Sequence, residues 1–170
     1  QLSMGGIAEI PAPDFSWAEA NISRFPLSGR FALLAPGGAL HRPCKRWPAG
    51  NYGQLAKMLM DQGLVSVLVG SAAEAPIMAE IKAQCEAALD LSGQTGLLDL
   101  AALARGAVAA VGNDTGPMHL VSAVGCRTVV LFSHDSDPAL CSQRGAAVTI
   151  IRRQPLDDLS VSEVMDGMGL

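Results

Sequence analysis

The chain has 170 residues, which suits one domain built around a single core. It is 49% hydrophobic and 16% charged, a balance that excludes disorder over most of its length. Its formal net charge of −4 at pH 7 argues against general nucleic-acid binding, because duplex affinity comes largely from basic side chains that neutralise phosphates.

Residues 1–29 differ from the rest: Pro11, Pro13 and Pro26 interrupt them, and residues 17–24 offer at most a short helix. They read as an interdomain linker or the remnant of a preceding domain, with a frayed terminus as the plainer alternative. From Arg30 onward, short apolar runs alternate with helical patterns. The spacing predicts a strand at 31–35, then a helix at 51–62 opened by an Asn51 cap and closed by Gly63. A β-branched strand is expected next at 65–69, a helix at 74–85, a brief strand at 88–91 and a helix at 97–105. Strands at 108–111 and 128–132 flank a small helix at 117–124, and a last strand is expected at 147–151. Ser160 and Glu163 form the pattern of a capping box that starts a terminal helix. Strands apolar on both faces, separated by helices, imply an α/β fold: a Rossmann-like, doubly wound parallel sheet over residues 30–170.

The four cysteines, Cys44, Cys85, Cys126 and Cys141, are widely spaced and make no Cys-x-x-Cys pair, so free thiols in a reducing compartment are expected. No basic start followed by an apolar core opens the chain, and no run approaches the roughly 18 apolar residues of a membrane helix. A cytoplasmic location is the expectation. The first residue, Gln1 rather than Met, suggests a processed or excised piece.

In such sheets, ligands sit beyond the carboxyl ends of the strands, where loops lead into helix N-termini. Gly112, Asn113, Asp114, Thr115, Gly116, Pro117, Met118 and His119 fill one such position. The glycines permit a tight turn and close approach of a ligand to the backbone. Pro117 suits the first position of a helix, so the next amides face outward at the positive end of its dipole. That is an anion site, and phosphate is its natural occupant. The Thr115 hydroxyl and His119 can add hydrogen bonds. A helix capped by Asp114 or Thr115 for its own backbone is the competing interpretation. The second loop, residues 36–48, concentrates His41, Arg42, Lys45 and Arg46 in an otherwise acidic chain. Such a cluster is often only a solvated surface. Emerging from the same sheet edge, it can instead join the first loop around a diphosphate, with Lys45 as the point charge.

Taken together, Lys45 to Pro48, Gly70 to Glu74, Leu91 to Thr95, Leu100 to Leu103 and Gly112 to Leu120 resemble glycosyltransferase family 9, the family of the lipopolysaccharide heptosyltransferases. The likeness runs over about residues 30–140. It implies the C-terminal half of a GT-B fold, two Rossmann-like domains with the active site between them, and binding of a nucleoside diphosphate sugar without a required metal or other cofactor. Carried over, Lys45 contacts phosphate or the transferring sugar, and Glu74 takes the ribose hydroxyls. Thr115, Gly116, Pro117, Met118 and His119 form the diphosphate site, and Asp114 meets sugar hydroxyls or orients the loop. The resemblance also implies that the catalytic base belongs to an N-terminal, acceptor-binding domain, so no catalytic residue is assigned within these 170. The implied partners are a nucleotide-sugar donor, ADP-linked by the family resemblance, and an envelope glycan or glycolipid acceptor that draws the whole enzyme to the inner face of the inner membrane. Ser71 stands where a second glycine is common.

Other readings are weaker. A hydrolytic set drawn from Asp114, His119 and Ser122 or Ser133 lacks the Gly-x-Ser-x-Gly elbow. Residues 134–137 (His, Asp, Ser, Asp) make a poor metal site because adjacent side chains rarely converge on one ion, and neither a dinucleotide fingerprint nor a phosphate loop with Gly-Lys-Ser/Thr is present. A non-catalytic nucleotide-binding module and a GT-B nucleotide-sugar epimerase remain the alternatives to transfer.

Overall fold

The computed structural model describes residues 5–6, 14–39 and 41–170, so Pro11, Pro13 and Leu40 lie outside the described residues. Among the described residues six strands alternate with helices: β1 (Phe31–Ala35), α1 (Ala49–Asp61), β2 (Val65–Leu68), α2 (Ala75–Gln84), β3 (Leu89–Asp90), α3 (Leu97–Gly106), β4 (Ala110–Asn113), α4 (Gly116–Ala123), β5 (Thr128–Phe132), α5 (Pro138–Cys141), β6 (Val148–Arg152) and α6 (Val161–Met168). All strand pairs are parallel, in the order β3-β2-β1-β4-β5-β6. The chain therefore winds outward from β1 in one direction and from β4 in the other. Between those two strands lies the switch point where such sheets bind ligands.

Alternation along each strand splits the core in two. Ala32 and Leu34 of β1 face Tyr52, Leu55, Met78, Ile81 and Val164 from α1, α2 and α6. Leu33 and Ala35 face Leu100, Leu103, Met118 and Val121 from α3 and α4. Every residue of β1, β4 and β5 is buried, as a sheet covered on both faces requires. Strand β6 departs from that expectation: it is an edge, and three of its five residues are exposed.

Several boundaries move for identifiable reasons. Helix α1 starts at Ala49, before Asn51, because Pro48 supplies the bend into the helix; no side chain caps it. Its end is as expected, with Gly63 at φ +75°. The strand expected at 108–111 lies two residues later, so Gly112 and Asn113 belong to β4 and not to the loop. A 3-10 turn, Ala72–Glu74, occupies the start of the helix expected from Glu74. Residues 17–24 form turns and no helix: Asp14, Asn21 and their neighbours bond locally, and Phe25 plugs the second core. Helix α5, which apolar periodicity does not signal, is held by Asp137 accepting from the Ala139 amide. The terminal helix α6 has its capping box, Ser160 with Glu163, and ends at Gly169 with φ +60°.

Gly112 shows how tightly β4 and α4 pack. A Cβ there would stand 2.6 Å from Met118 Sδ and 2.9 Å from Ala35 Cβ. The Gly112→Ala variant is therefore expected to lose about 1–3 kcal/mol of stability by overpacking. Chemical denaturation checks this, and Met118→Ala in the same chain should return part of the loss.

Candidate functional site

A cavity of about 690 Å³ opens at the β1/β4 switch point. Its wall takes Gly37, Gly38 and Lys45 from the segment after β1, Gly70, Ser71 and Glu74 from that after β2, and Asp114 to Pro117 from that after β4; Thr95, Gly96, Leu97 and Leu100 close its apolar side. All five segments singled out in the sequence thus contribute to one place. A second hollow, of about 600 Å³, lies between the C-terminal ends of α1 and α2, lined by Lys57, Asp61, Gln84 and Glu86. It sits at the opposite sheet edge, away from the strands' carboxyl ends.

The floor of the site is tied together by one side chain. Asn113, fully buried at the end of β4, accepts at Oδ1 from the Trp47 amide (3.0 Å) and the Tyr52 hydroxyl (3.2 Å). Its Nδ2 donates to the carbonyls of Pro36 (2.9 Å) and Gly37 (3.0 Å). It thus joins the loop after β1, the lysine-bearing segment and α1 to β4. Trp47 is anchored again through its indole N–H, which donates to the Leu159 carbonyl, and it meets Tyr52 edge-on with ring centroids 4.9 Å apart. The buried Tyr52 hydroxyl is held neutral, since burial pushes its pKa far up. In the sequence Asn113 passes for part of a loop; the available signal is an amide immediately after an apolar strand, where only a satisfied polar group is tolerated.

Lys45, next to that anchor, reaches Asp114, with Nζ to Oδ2 at 2.7 Å and both side chains largely covered. Gln143 Nε2 donates to the other Asp114 oxygen at 3.2 Å. Burial by itself would raise the Asp114 pKa; hydrogen bonds from Lys45, Ser136 and Gln143 more than offset it and hold the carboxyl below its ordinary range. Helix α4 then begins with Thr115 as its N-cap in extended conformation, φ −143°, and no side chain makes a cap bond. The backbone therefore does not use Asp114 or Thr115 as a side-chain cap. Gly116 faces open space, and a Cβ there would touch nothing. Pro117 and the exposed end of α4 complete an anion-favouring mouth. Met118 and His119 do not line the cavity. The Met118 side chain is fully buried in the second core and its amide donates to the Thr115 carbonyl, while His119 is exposed.

Glu74 bridges two loops. Its Oε1 accepts from the Gly38 amide at 2.9 Å, and its Oε2 from the Ser71 amide at 2.6 Å and the Ser71 hydroxyl at 3.0 Å. The carboxylate fits only because its neighbours lack side chains: a Cβ on Gly37 would lie 1.7 Å from Oε1, and one on Gly70 2.7 Å from Oε2. Ser71, at φ −81°, needs no glycine, and its hydroxyl contributes to the capping box. A carboxylate offers about four acceptor positions, so three filled by the chain leave room for one more donor.

The remaining candidates lie apart. Ser122 is buried and bonded to Thr128, and the Ser133 hydroxyl accepts from the Asp135 amide; neither meets a histidine as a nucleophile would. Cys44 donates to Asp135 Oδ2 at 2.9 Å, which raises the thiol pKa and leaves a protonated sulfur. His134 pairs with the same carboxylate at 3.1 Å. Among the described residues, no three His, Cys, Asp or Glu side chains are arranged to hold a metal ion, and no helix is long and apolar enough to cross a membrane.

Comparison with known proteins points to one family. The family model described as glycosyltransferase family 9 (heptosyltransferase) matches residues 13–164. The chain is 38% identical over 146 residues to lipopolysaccharide heptosyltransferase 2 of Escherichia coli K12, a match covering 75% of this chain and 41% of that protein. It is 36% identical over 120 residues to lipooligosaccharide heptosyltransferase 2 of Haemophilus influenzae Rd, covering 68% of this chain and 34% of that one. The solved structure of the E. coli ADP-heptose lipopolysaccharide heptosyltransferase II superposes with a TM-score of 0.79 at 31% identity, over 86% of this chain and 48% of that one. The chain spans less than half the length of each of these relatives.

The site's geometry sets two expected outcomes. Asn113→Leu leaves two donors and two carbonyls without their partner, and should cost on the order of 3 kcal/mol or more in urea denaturation. Asp114, whose folded pKa lies below its unfolded one, contributes stability that is complete above the ordinary aspartate range and is lost as pH falls through the folded value. Asp114→Asn should therefore flatten the decline in stability measured between about pH 5 and pH 3.

Proposed function

We propose, for a chain that belongs to glycosyltransferase family 9, that it forms the donor-binding half of a GT-B heptosyltransferase and holds a nucleoside diphosphate sugar, ADP-linked, in the switch-point cavity. The observation that carries this reading is the convergence of Lys45, the uncapped start of α4 and Glu74 on one cavity. A diphosphate is the ligand that uses the first two together. The α4 N-terminus and the Thr115 hydroxyl take one phosphoryl group, and the Lys45 ammonium, 2.7 Å from Asp114 and partly covered, supplies the compensating charge. Glu74 takes a ribose hydroxyl at its remaining acceptor position, and the base lies against Leu97 and Leu100, on the apolar wall. The E. coli relative is an ADP-heptose transferase, which favours adenine and heptose here.

Transfer joins an acceptor hydroxyl to the anomeric carbon as the bond from that carbon to the β-phosphate oxygen breaks. The bonding electrons leave with the diphosphate, and the hydroxyl proton goes to a base on the acceptor-binding domain. Charge grows on the departing group, so fixed donors aimed there stabilise the transition state more than the ground state. Lys45, the Thr115 hydroxyl and the Gly116 amide at the head of α4 are those donors, and on this reading no metal is needed. The acceptor is a growing lipopolysaccharide core, in line with the names of the relatives, which directs the whole enzyme to the cytoplasmic side of the inner membrane.

Isothermal calorimetry without added magnesium tests the site. ADP should bind more tightly than AMP, and Lys45→Ala and Thr115→Ala should each weaken ADP by about 1–3 kcal/mol, the range of charge-assisted hydrogen bonds. Equal binding of the two nucleotides, or unchanged affinity in both variants, would remove the diphosphate from this cavity.

A further inference from the structure

Gln143 lies in the connection between α5 and β6, outside every motif recognised in the sequence, and does not line the cavity. It is nevertheless only 4% exposed, and its amide N–H₂ is committed to Asp114 Oδ1, the oxygen that Lys45 does not use. A carboxylate only accepts, so the amide must present its nitrogen to Asp114, and its orientation is fixed by that pairing. The consequence is an isolated acceptor: Gln143 Oε1 is buried with no hydrogen-bond partner among the described residues. Burying an amide with half its capacity unmet is costly, and an apolar side chain of the same shape would avoid that cost. Gln143 thus brings the fold a cost as well as a bond. Its one polar contact points to Asp114.

The connection is built to hold it there. Two residues beyond Gln143, Gly145 presses against the backbone at the end of α4, where a Cβ would stand 2.3 Å from the Ser122 carbonyl oxygen. Ahead of it, Asp137 caps α5 by accepting from the Ala139 amide. Asp114 thus receives side-chain donors from two sides: Lys45 after β1 at Oδ2, and Gln143 after β5 at Oδ1. Lys45 is the one charged group among them. A lysine on a flexible four-carbon stem has no preferred direction of its own, so its aim is set by the carboxylate that holds it.

We propose that Gln143 is a positioning residue for anion recognition: it fixes the plane of the Asp114 carboxylate, which in turn aims the Lys45 ammonium at the diphosphate. This rests on the donor-site reading above.

The test uses Gln143→Met, which keeps length and removes the donor, and Gln143→Glu, which keeps shape and replaces the donor by an acceptor. Three quantities are measured on each: thermal stability, the Asp114 carboxyl titration by carbon NMR, and ADP affinity by calorimetry. Gln143→Met should melt near the wild-type temperature, relief of the unmet acceptor offsetting the bond lost at Asp114, while Asp114 titrates at higher pH and ADP binds about three- to tenfold more weakly, the loss of one charge-assisted hydrogen bond acting indirectly. Gln143→Glu should shift the Asp114 titration further in the same direction. If either folded variant leaves both that titration and ADP affinity unchanged, the proposal is overturned. If the wild-type chain does not bind ADP, the donor-site reading falls with it; if ADP binds and only the Gln143 variants are silent, the donor site stands and Gln143 has no part in it.

Discussion

A single buried carboxamide holds this site in shape. Asn113 ends β4 where the sheet parts, and its four hydrogen bonds run to the loop after β1, to the Trp47 backbone and to α1. Each of those partners is main chain or a buried hydroxyl that would otherwise be cut off from water. An amide is the one short side chain that offers both two donors and an acceptor, so neither aspartate nor leucine can replace it. Lys45 and Asp114, on either side of this knot, are brought within 2.7 Å by a scaffold they do not themselves build.

The electrostatics obey the same constraint. The chain carries net negative charge, yet its cavity gathers an ammonium, a helix N-terminus and backbone amides. Two carboxylates share that space and both are already engaged: Asp114 by Lys45 and Gln143, Glu74 by Gly38 and Ser71. A carboxylate held by several donors acts as a strut between the segments that supply them. Gly37 and Gly70 make room for one of these struts, which is why bare backbone surrounds Glu74.

Much of this is legible in the residues, and the failures have physical causes. Strands β1 and β5 are continuous apolar runs between punctuating residues, and both fall where periodicity puts them. Strand β4 is displaced from its expected place because glycine and asparagine usually announce a loop, whereas here Gly112 admits Met118 and Asn113 satisfies buried backbone. A capping asparagine marks the wrong start for α1, since Pro48 ahead of it already sets the bend. Within the site, the residues that bear charge or break helices, Lys45, Glu74, Asp114 to Pro117, are those whose chemistry shows in one dimension, and all of them line the cavity. Met118 and His119 share that motif but not the cavity, because successive residues of a helix point in different directions. Gln143 gives no signal: a glutamine in a loop is ordinary until the fold brings it against a carboxylate 29 positions away.

The stretch preceding β1 bears on where this folding unit begins. Arg24 donates to Asp99 Oδ2 at 2.6 Å, the same oxygen that receives the Gly96 amide at the head of α3, and Arg105 near the helix's other end grips the carbonyls of Phe15 and Ala18. Phe25 and Ala18 are buried beneath them. Helix α3 carries Leu97 and Leu100, so the cavity's greasy side is braced from behind by chain that comes before the first strand. A truncation made at the obvious compositional seam, just ahead of Arg30, would keep every strand and helix and still slacken one bank of the binding cleft.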